Sequence, residues 1–390
     1  VLDFTQIGAG PLCGMYLGDM GADVIKIEPP GGDLGRQLGL PWIDGESPVY
    51  VAFNRNKRGI CIDLKSAAGL EVVHRLLEQA DVLLESFRPG VMARFGLDYA
   101  TLAERYPRLV YCSLSAYGQS GPDADKPGVD GIIQGTSALM SLIGTEESGP
   151  CKVQSPVVDV TAGFAATIGT LAQLLARVQT GQGGHIDVSL FASAVALQQP
   201  SVATYLGTGE LPVRAGSEAP YAAPNEAFET SDGWIMVAAY NGNRWEELCR
   251  VLGIAAMAAH PRLATLDARV ANRAFMKDVL GPVFKGQPTA HWLQVLTAAD
   301  ILCGQVCTYE QLAVNPQALH LNLFTPATDA AGRTFSSPAF PVNSRRQAPA
   351  TGAPACGQHT REILAGLGYE AEAISALLEQ RAVQGPPQEA

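Results

Sequence analysis

Charge is scarce in this 390-residue sequence, and positive charge most of all. Asp, Glu, Lys and Arg make up 17% of it, and 38 acids against 27 bases leave a formal net charge of -11. A general nucleic-acid binder or a basic membrane-surface protein needs the opposite balance, so neither is expected. A local cationic patch for an anionic ligand stays open. Cysteine is sparse and unpaired: the eight thiols at 13, 61, 112, 151, 249, 303, 307 and 356 form no C-x-x-C and no disulfide framework. Reduced thiols in a cytoplasmic setting fit this best. Cys303 and Cys307 lie four apart, but no second ligand pair follows, and the six histidines contain no H-E-x-x-H, so no metal is expected. No uninterrupted apolar run is long enough to cross a bilayer, and no membrane partner is expected. The sequence opens at Val1 inside a strand-like run without methionine. Residues are expected to precede it, and a removed targeting segment stays open.

What the sequence has is apolar bulk, 47% of its residues, over a length that predicts two domains. Strand patterns at Val1–Phe4, Val24–Glu28, Gly59–Leu64, Val82–Glu85, Leu109–Ser115 and His185–Leu190 alternate with helical ones. This predicts an α/β fold with a largely parallel sheet over residues 1–206. The texture then changes. Residues 207–321 read as a linker and a smaller α+β domain, with an antiparallel pair at Ala227–Thr230 and Trp234–Ala239. Residues 322–390 return as loop, strand and two final helices, Thr360–Leu367 and Glu370–Gln380, before a mobile tail.

The organising stretch is 154–190. Asp159 stands as a lone acid before a helical pattern in which Phe164, Ile168, Leu171, Leu175 and Val178 share one face. Gly163, Ala165, Ala166 and Gly169 are small enough to admit a close neighbour, and the glycines at 181, 183 and 184 stop the helix. Asp159 has two compatible readings, an N-cap or a carboxylate nucleophile kept ionised by the helix terminus. Local pattern does not choose between them.

Elsewhere, Gly8, Gly10 and Gly14 follow the first strand with one residue more than G-x-G-x-x-G, a weak dinucleotide signal. Residues 52–95 carry seven Lys and Arg, several at element ends where α/β proteins hold phosphates.

Together these stretches resemble class III coenzyme A transferases, the family of formyl-CoA and carnitine CoA-transferases and α-methylacyl-CoA racemases. DFTQIGAGPLCGMYLGDMGADVIKIEPPGGD, NRNKRGICIDLK, ADVLLESFRPGVMARFGLDY, YGQSGP, the Asp159 segment through TGQGGHIDVSL, and CGQHTREILAGLGY occur in the family's order. The resemblance implies a Rossmann-like large domain plus a smaller domain in an interlocked homodimer. It also implies coenzyme A or acyl-CoA as substrate, with no permanently bound cofactor. Asp159 matches the nucleophile. Gly8 and Ala9 match the turn that packs on CoA, and Ile62 and Lys65 the residues beside adenine and phosphates. Ser86, Phe87 and Arg88 match the next contact segment, Arg94 a phosphate-binding arginine and Lys126 a further cation. Asp130 and Gln134 are expected to line the acyl pocket, unless they serve as a helix cap and a satisfied polar group. Where some members carry an arginine after I-K-I-E, this chain has Pro29, for which Arg36 is expected to compensate.

The racemases of the family carry a histidine where this chain has Val129, and their second acid falls near Asn241. Proton exchange beside a thioester needs an acid and a base, so transfer is favoured over racemisation. A nicotinamide dehydrogenase is the more distant alternative. The expected reaction is attack of ionised Asp159 on an acyl-CoA, giving an acyl-aspartyl anhydride that exchanges with a free carboxylic acid. Amides at the helix start would stabilise the oxyanion. Arg55 or Arg214 would receive the second carboxylate of a dicarboxylic acid.

Overall fold

Aliphatic strands with both faces covered build the larger part of the molecule. The structure is a computed structural model and describes residues 1–39, 42–43, 45–329, 331–342 and 350–386; the end of the expected tail lies outside the described residues. The chain forms two compact units. One comprises Val1–Leu139, Lys152–Thr208 and Leu319–Ala390, the other Met140–Cys151 and Gly209–Ala318.

In the first unit, β1 (Leu2–Asp3), β2 (Ile25–Glu28), β3 (Arg58–Ile62), β4 (Val82–Glu85), β5 (Val110–Ser115) and β6 (Gly184–Ser189) are parallel. Their order is β3-β2-β1-β4-β5-β6, and a short strand at Val383–Gln384 pairs antiparallel with β3 at the edge. Leu2 pairs with Ile25 on one side and Leu83 on the other. The order therefore reverses between β1 and β4, and the loops leaving these strands open a crevice there.

Alternate residues feed two cores, as the period of a strand requires. Ile60, Leu83 and Tyr111 face one layer that includes Val73, Leu76, Ile363 and Leu364. Leu84, Val110 and Cys112 face α1 (Ala9–Asp19) and the long helix at Val157–Thr180, with Cys13, Ala162 and Ala166. The small residues of the long helix do what their size predicts. A Cβ on Gly163 would lie 2.9 Å from Leu12 and 3.1 Å from the Ala9 carbonyl oxygen.

The larger apolar residues of that helix point away from this core. Ile168, Leu175 and Val178 are 66%, 67% and 82% exposed. Its 24 residues are long and apolar enough to cross a membrane by length and composition, although Asp159, Gln173 and Arg177 interrupt the apolar run. Here it is packed along α1 as part of the sheet unit.

Several elements depart from the sequence patterns. The apolar stretch after Gly128 forms a helix only over Asp130–Thr136, is broken at Ala138, whose φ is 68°, and resumes at Leu139–Leu142. Its apolar continuation supplies the 140–151 excursion into the other unit. Helices at Pro48–Phe53 and Tyr99–Arg105 were not expected. The apolar stretch after β6 is broken into Leu190–Ala196 and Gln199–Thr208, with Pro200 in the first turn of the second.

The second unit carries an antiparallel sheet of β7 (Asn225–Glu229), β8 (Trp234–Ala238) and β9 (Leu302–Gln305), with β8 central. Helices at Gly242–Val251, Arg273–Lys285 and Thr289–Ala298 bury Trp245, Leu248, Phe284 and Trp292 with Phe228 and Ile235.

Candidate active site

The turn at 6–10 leaves β1 at the crevice and is tied down from both sides. Gln6 N donates to Ser86 Oγ after β4 (3.0 Å). Ile7 N donates to Asp33 Oδ1 after β2 (3.1 Å), which also accepts from Gly35 N (2.7 Å). Asp33 Oδ2 lies 2.7 Å from Lys26 Nζ, both side chains fully buried, and Lys26 also donates to the Thr5 carbonyl (2.9 Å). These bonds hold Ile7 at a φ of 71°, a conformation that a β-branched residue avoids at a cost of about 1–3 kcal/mol.

The strained turn delivers Gly8 against Asp159. A Cβ on Gly8 would lie 2.5 Å from Asp159 Oδ2 and 2.9 Å from its carboxyl carbon. Gly8→Ala is therefore expected to displace the carboxylate and lower turnover about 10- to 100-fold. Its backbone, at φ -125° and ψ -93°, lies outside the regions open to a residue with a Cβ, so the melting temperature should fall as well. Steady-state kinetics beside a thermal melt checks this.

Asp159 is the third residue of the helix Val157–Thr180, whose cap is Pro156, and its side chain makes no capping bond. The N-cap reading is thus corrected. The capping acid is Asp130, at the first position of the helix Asp130–Thr136. Its Oδ2 accepts from Val158 N (2.7 Å) and Asp159 N (3.2 Å). These are the amides expected to hold an oxyanion, and they are occupied. By contrast, the amides of Ala9 and Gly10 at the start of α1 find no acceptor among the described residues.

Asp130 and Gln134 do not line the cavity at Asp159; they serve as the helix cap and the satisfied polar group of the other expectation. Gln134 is fully buried. Its Nε2 donates to Asp130 Oδ1 (2.6 Å) and to the Val153 carbonyl (3.0 Å), and its Oε1 accepts from Val153 N (2.8 Å).

The Asp159 carboxylate itself has no hydrogen-bond partner among the described residues. It lines a cavity of about 140 Å³ with the turn at 6–10, Ser86, Ser115 and Val129. Burial, with the Asp130 charge added, pushes its pKa up to about 7. The sequence expectation had the opposite sign, because it counted the helix terminus and not the enclosure.

The structure brings Gly8, Ala9, Ser86 and Asp159 to one cavity. Arg88 lines a separate cavity of about 270 Å³ beside Tyr99 and His185. Phe87 is half-buried against the core, and its amide donates to Glu85 Oε2 (2.8 Å). Lys65 is exposed after β3, and Arg94 is exposed on the turn Met92–Phe95. Lys126 is exposed and paired with Asp123 at 2.6 Å. Ile62 is fully buried in the core, so its side chain offers no surface to an adenine.

Arg36 does not compensate for Pro29. It is bonded to Glu28 through Nε and Nη2 (2.7 Å each), stacks on Tyr50 and donates to the Pro354 carbonyl. Arg55 is buried on Asp19 (2.5 Å), so it is not a substrate receptor; Arg214 donates to the Thr145 carbonyl (3.3 Å).

Sequence reasoning missed Lys26, Asp33 and Glu85. Lys26 and Glu85 had a signal, as charges inside apolar strands. Glu85 is buried beneath the 86–88 segment, and burial pushes it up to about 7.

The alternatives lose their residues. The glycines of the dinucleotide-like turn face the protein's own groups: Gly8 meets Asp159, Gly10 meets Thr5 and Gly14 meets Asp3. Asn241 caps Gly242–Val251 by accepting from Arg244 N (3.3 Å).

Residues 1–360 match the model of CoA-transferase family III. Among curated relatives, the succinate–glutarate CoA-transferase of Agrobacterium fabrum is 35% identical over 384 residues, covering 94% of each chain. The acetyl-CoA:oxalate CoA-transferase of Acetobacter aceti is 36% identical over 325 residues, 83% of each. A crystal structure of a CAIB/BAIF family protein from Brucella suis superposes with a TM-score of 0.85 at 32% identity, covering 94% of this chain and 97% of that one. The chain belongs to CoA-transferase family III, and it is a CoA-transferase.

Proposed function

We propose that this enzyme moves CoA from an acyl-CoA donor to a small dicarboxylic acid through an anhydride on Asp159. The observation that carries this reading is the Asp159 carboxylate itself: unbonded, enclosed, and pressed against a glycine turn at the sheet's switch point. In the first step an Asp159 oxygen attacks the thioester carbonyl, the C–S bond breaks, and CoA leaves as thiolate. The acceptor carboxylate then attacks the Asp159 carbonyl carbon and releases the donor acid. The CoA thiolate attacks the new acyl carbon, giving the product thioester and free Asp159. Covalent catalysis divides one difficult exchange into steps between groups of similar leaving ability. The unoccupied amides of Ala9 and Gly10 are placed to stabilise the oxyanion.

Relatives named for glutarate, succinate and oxalate support a dicarboxylate acceptor. The strand order β3-β2-β1-β4-β5-β6 supports the Rossmann-like reading of the larger unit. Lys65, Arg88, Arg94 and Lys126 are the cations we assign to the CoA phosphates; Lys126 would exchange Asp123 for one. CoA enters as substrate, with no cofactor held permanently. Eight unpaired thiols support a cytoplasmic setting.

The exposed Ile168, Leu175 and Val178 support a homodimer in which a second copy covers this helix face, the interlocked arrangement the family resemblance implies. Leu175→Asp is expected to shift the protein toward monomer or aggregate in sedimentation velocity; an unchanged dimer would remove this helix from the interface.

Ionised Asp159 is the reactive form, so kcat/KM should fall as pH drops through about 7 and level off above it. A flat profile from pH 5.5 to 8.5 would contradict this. The activity test mixes enzyme with a panel of acyl-CoAs and isotope-labelled acids and seeks labelled thioesters by mass spectrometry. Labelled thioester that vanishes in Asp159→Ala supports the reading. Label exchange that survives the substitution defeats it.

A further inference from the structure

We propose that Asp130 is the positioning residue of this active site, taking over the helix-start amides so that the Asp159 carboxylate stays unbonded and aimed at the glycine turn. The inference rests on Asp159 being the nucleophile. The helix Val157–Thr180 begins with a proline cap that has no side-chain acceptor to offer. A side chain at the third helical position usually reaches back to the backbone N–H of the cap, which a proline does not have. Asp130, from another helix, supplies the acceptor for the helix-start amides at 2.7 and 3.2 Å.

Its second oxygen accepts from Gln134, and Gln134 clamps both backbone groups of Val153. One carboxylate and one amide thus fix the segment 153–159 at both ends. A nucleophile misplaced by an ångström loses most of the advantage of proximity. The clamp also brings one negative charge beside Asp159. Of the elements around Asp159, the turn at 6–10, the Ser86 and Ser115 loops, the 128–129 segment and Leu190 bring no titratable group. Asp130 is the charge that acts on it. The same residue therefore positions the nucleophile and adds to the rise that burial gives its pKa.

Three variants separate these roles. Asp130→Asn keeps an acceptor for the amides, gives up the bond from Gln134 Nε2 and removes the charge, so the acid limb of kcat/KM should move down by about one pH unit. Asp130→Ala removes the acceptor, and kcat should fall about 100-fold while the dissociation constant for CoA changes less than about twofold. Gln134→Ala loosens Val153 without altering charge; kcat should fall about 10-fold with the limb in place.

The inference is overturned if Asp130→Asn leaves both limb and kcat at wild-type values. It is also overturned if CoA affinity falls in step with kcat in Asp130→Ala, which would mark a merely structural acid. Asp159→Ala is run alongside. Activity in that control sinks the nucleophile assignment itself, whereas an inactive control beside an unchanged Asp130→Asn sinks the positioning role alone.

Discussion

Asp159→Asn is expected to lose transfer by at least ~10³-fold while its affinity for CoA changes little, because the substitution removes the nucleophile and nothing that holds the nucleotide. The same variant should be more stable than wild type above neutral pH. The wild-type carboxyl titrates near 3.8 in the unfolded chain and at about 7 in the folded one. Between those values the folded state holds a proton that the unfolded state has released, so wild-type stability falls as pH rises toward 7. The amide carries no such cost. At pH 8 its melting temperature should exceed wild type by roughly 2–6 °C, and the gap should close as pH falls toward 4. Lost activity with raised stability is the mark of a group held in an unfavourable state for chemistry. A variant that is inactive and also less stable at pH 8 would point to a structural aspartate.

The second large effect is expected at Lys26→Met. Met matches the lysine in volume, so packing is kept while the charge on Asp33 is left buried and unpaired. Removing one member of a fully buried pair costs about 3–5 kcal/mol. A drop in melting temperature of roughly 10 °C is expected. Turnover should fall as well, since Asp33 holds Ile7 in its strained conformation and Lys26 holds the Thr5 carbonyl. The double variant Lys26→Met/Asp33→Asn removes both charges and keeps an acceptor for the Ile7 and Gly35 amides, and it should recover much of the stability. A single variant with an unchanged melting temperature would show that the pair contributes little to fixing the turn.

Much of the fold was legible because the strands announce themselves. Val24–Glu28 and Val82–Glu85 are apolar runs bounded by loops and helical patterns, and both form strands within one residue of the expected limits. Pro48–Phe53 was missed although Ser47 and Pro48 carry a helix-start signature, because six residues are too few to show a helical period. Asp159 was found as a lone acid before a helix, but its capping role belonged to Asp130, 29 residues earlier, and no local rule reaches that far. The stripe from Ile168 to Val178 was legible as a helix face but not as an exposed one, since periodicity does not say whether a chain's own core or a second copy covers it. The family resemblance supplied a role for Ile62 that its burial withdraws, and one for Arg36 that Glu28 already occupies.

The central claim is that the acyl group passes through an anhydride on Asp159, and oxygen tracing tests it most directly. The enzyme would turn over an acyl-CoA with an acceptor acid whose carboxylates carry oxygen-18, followed by proteolysis and mass spectrometry of the peptide containing Asp159. Each forward cycle that ends with thiolate attack on the acceptor's acyl carbon leaves one acceptor oxygen on the aspartate. Label on Asp159 that accumulates with turnover is the predicted result. Labelled thioester product with an unlabelled Asp159 would mean that the acids exchange CoA directly, and the covalent account would fail.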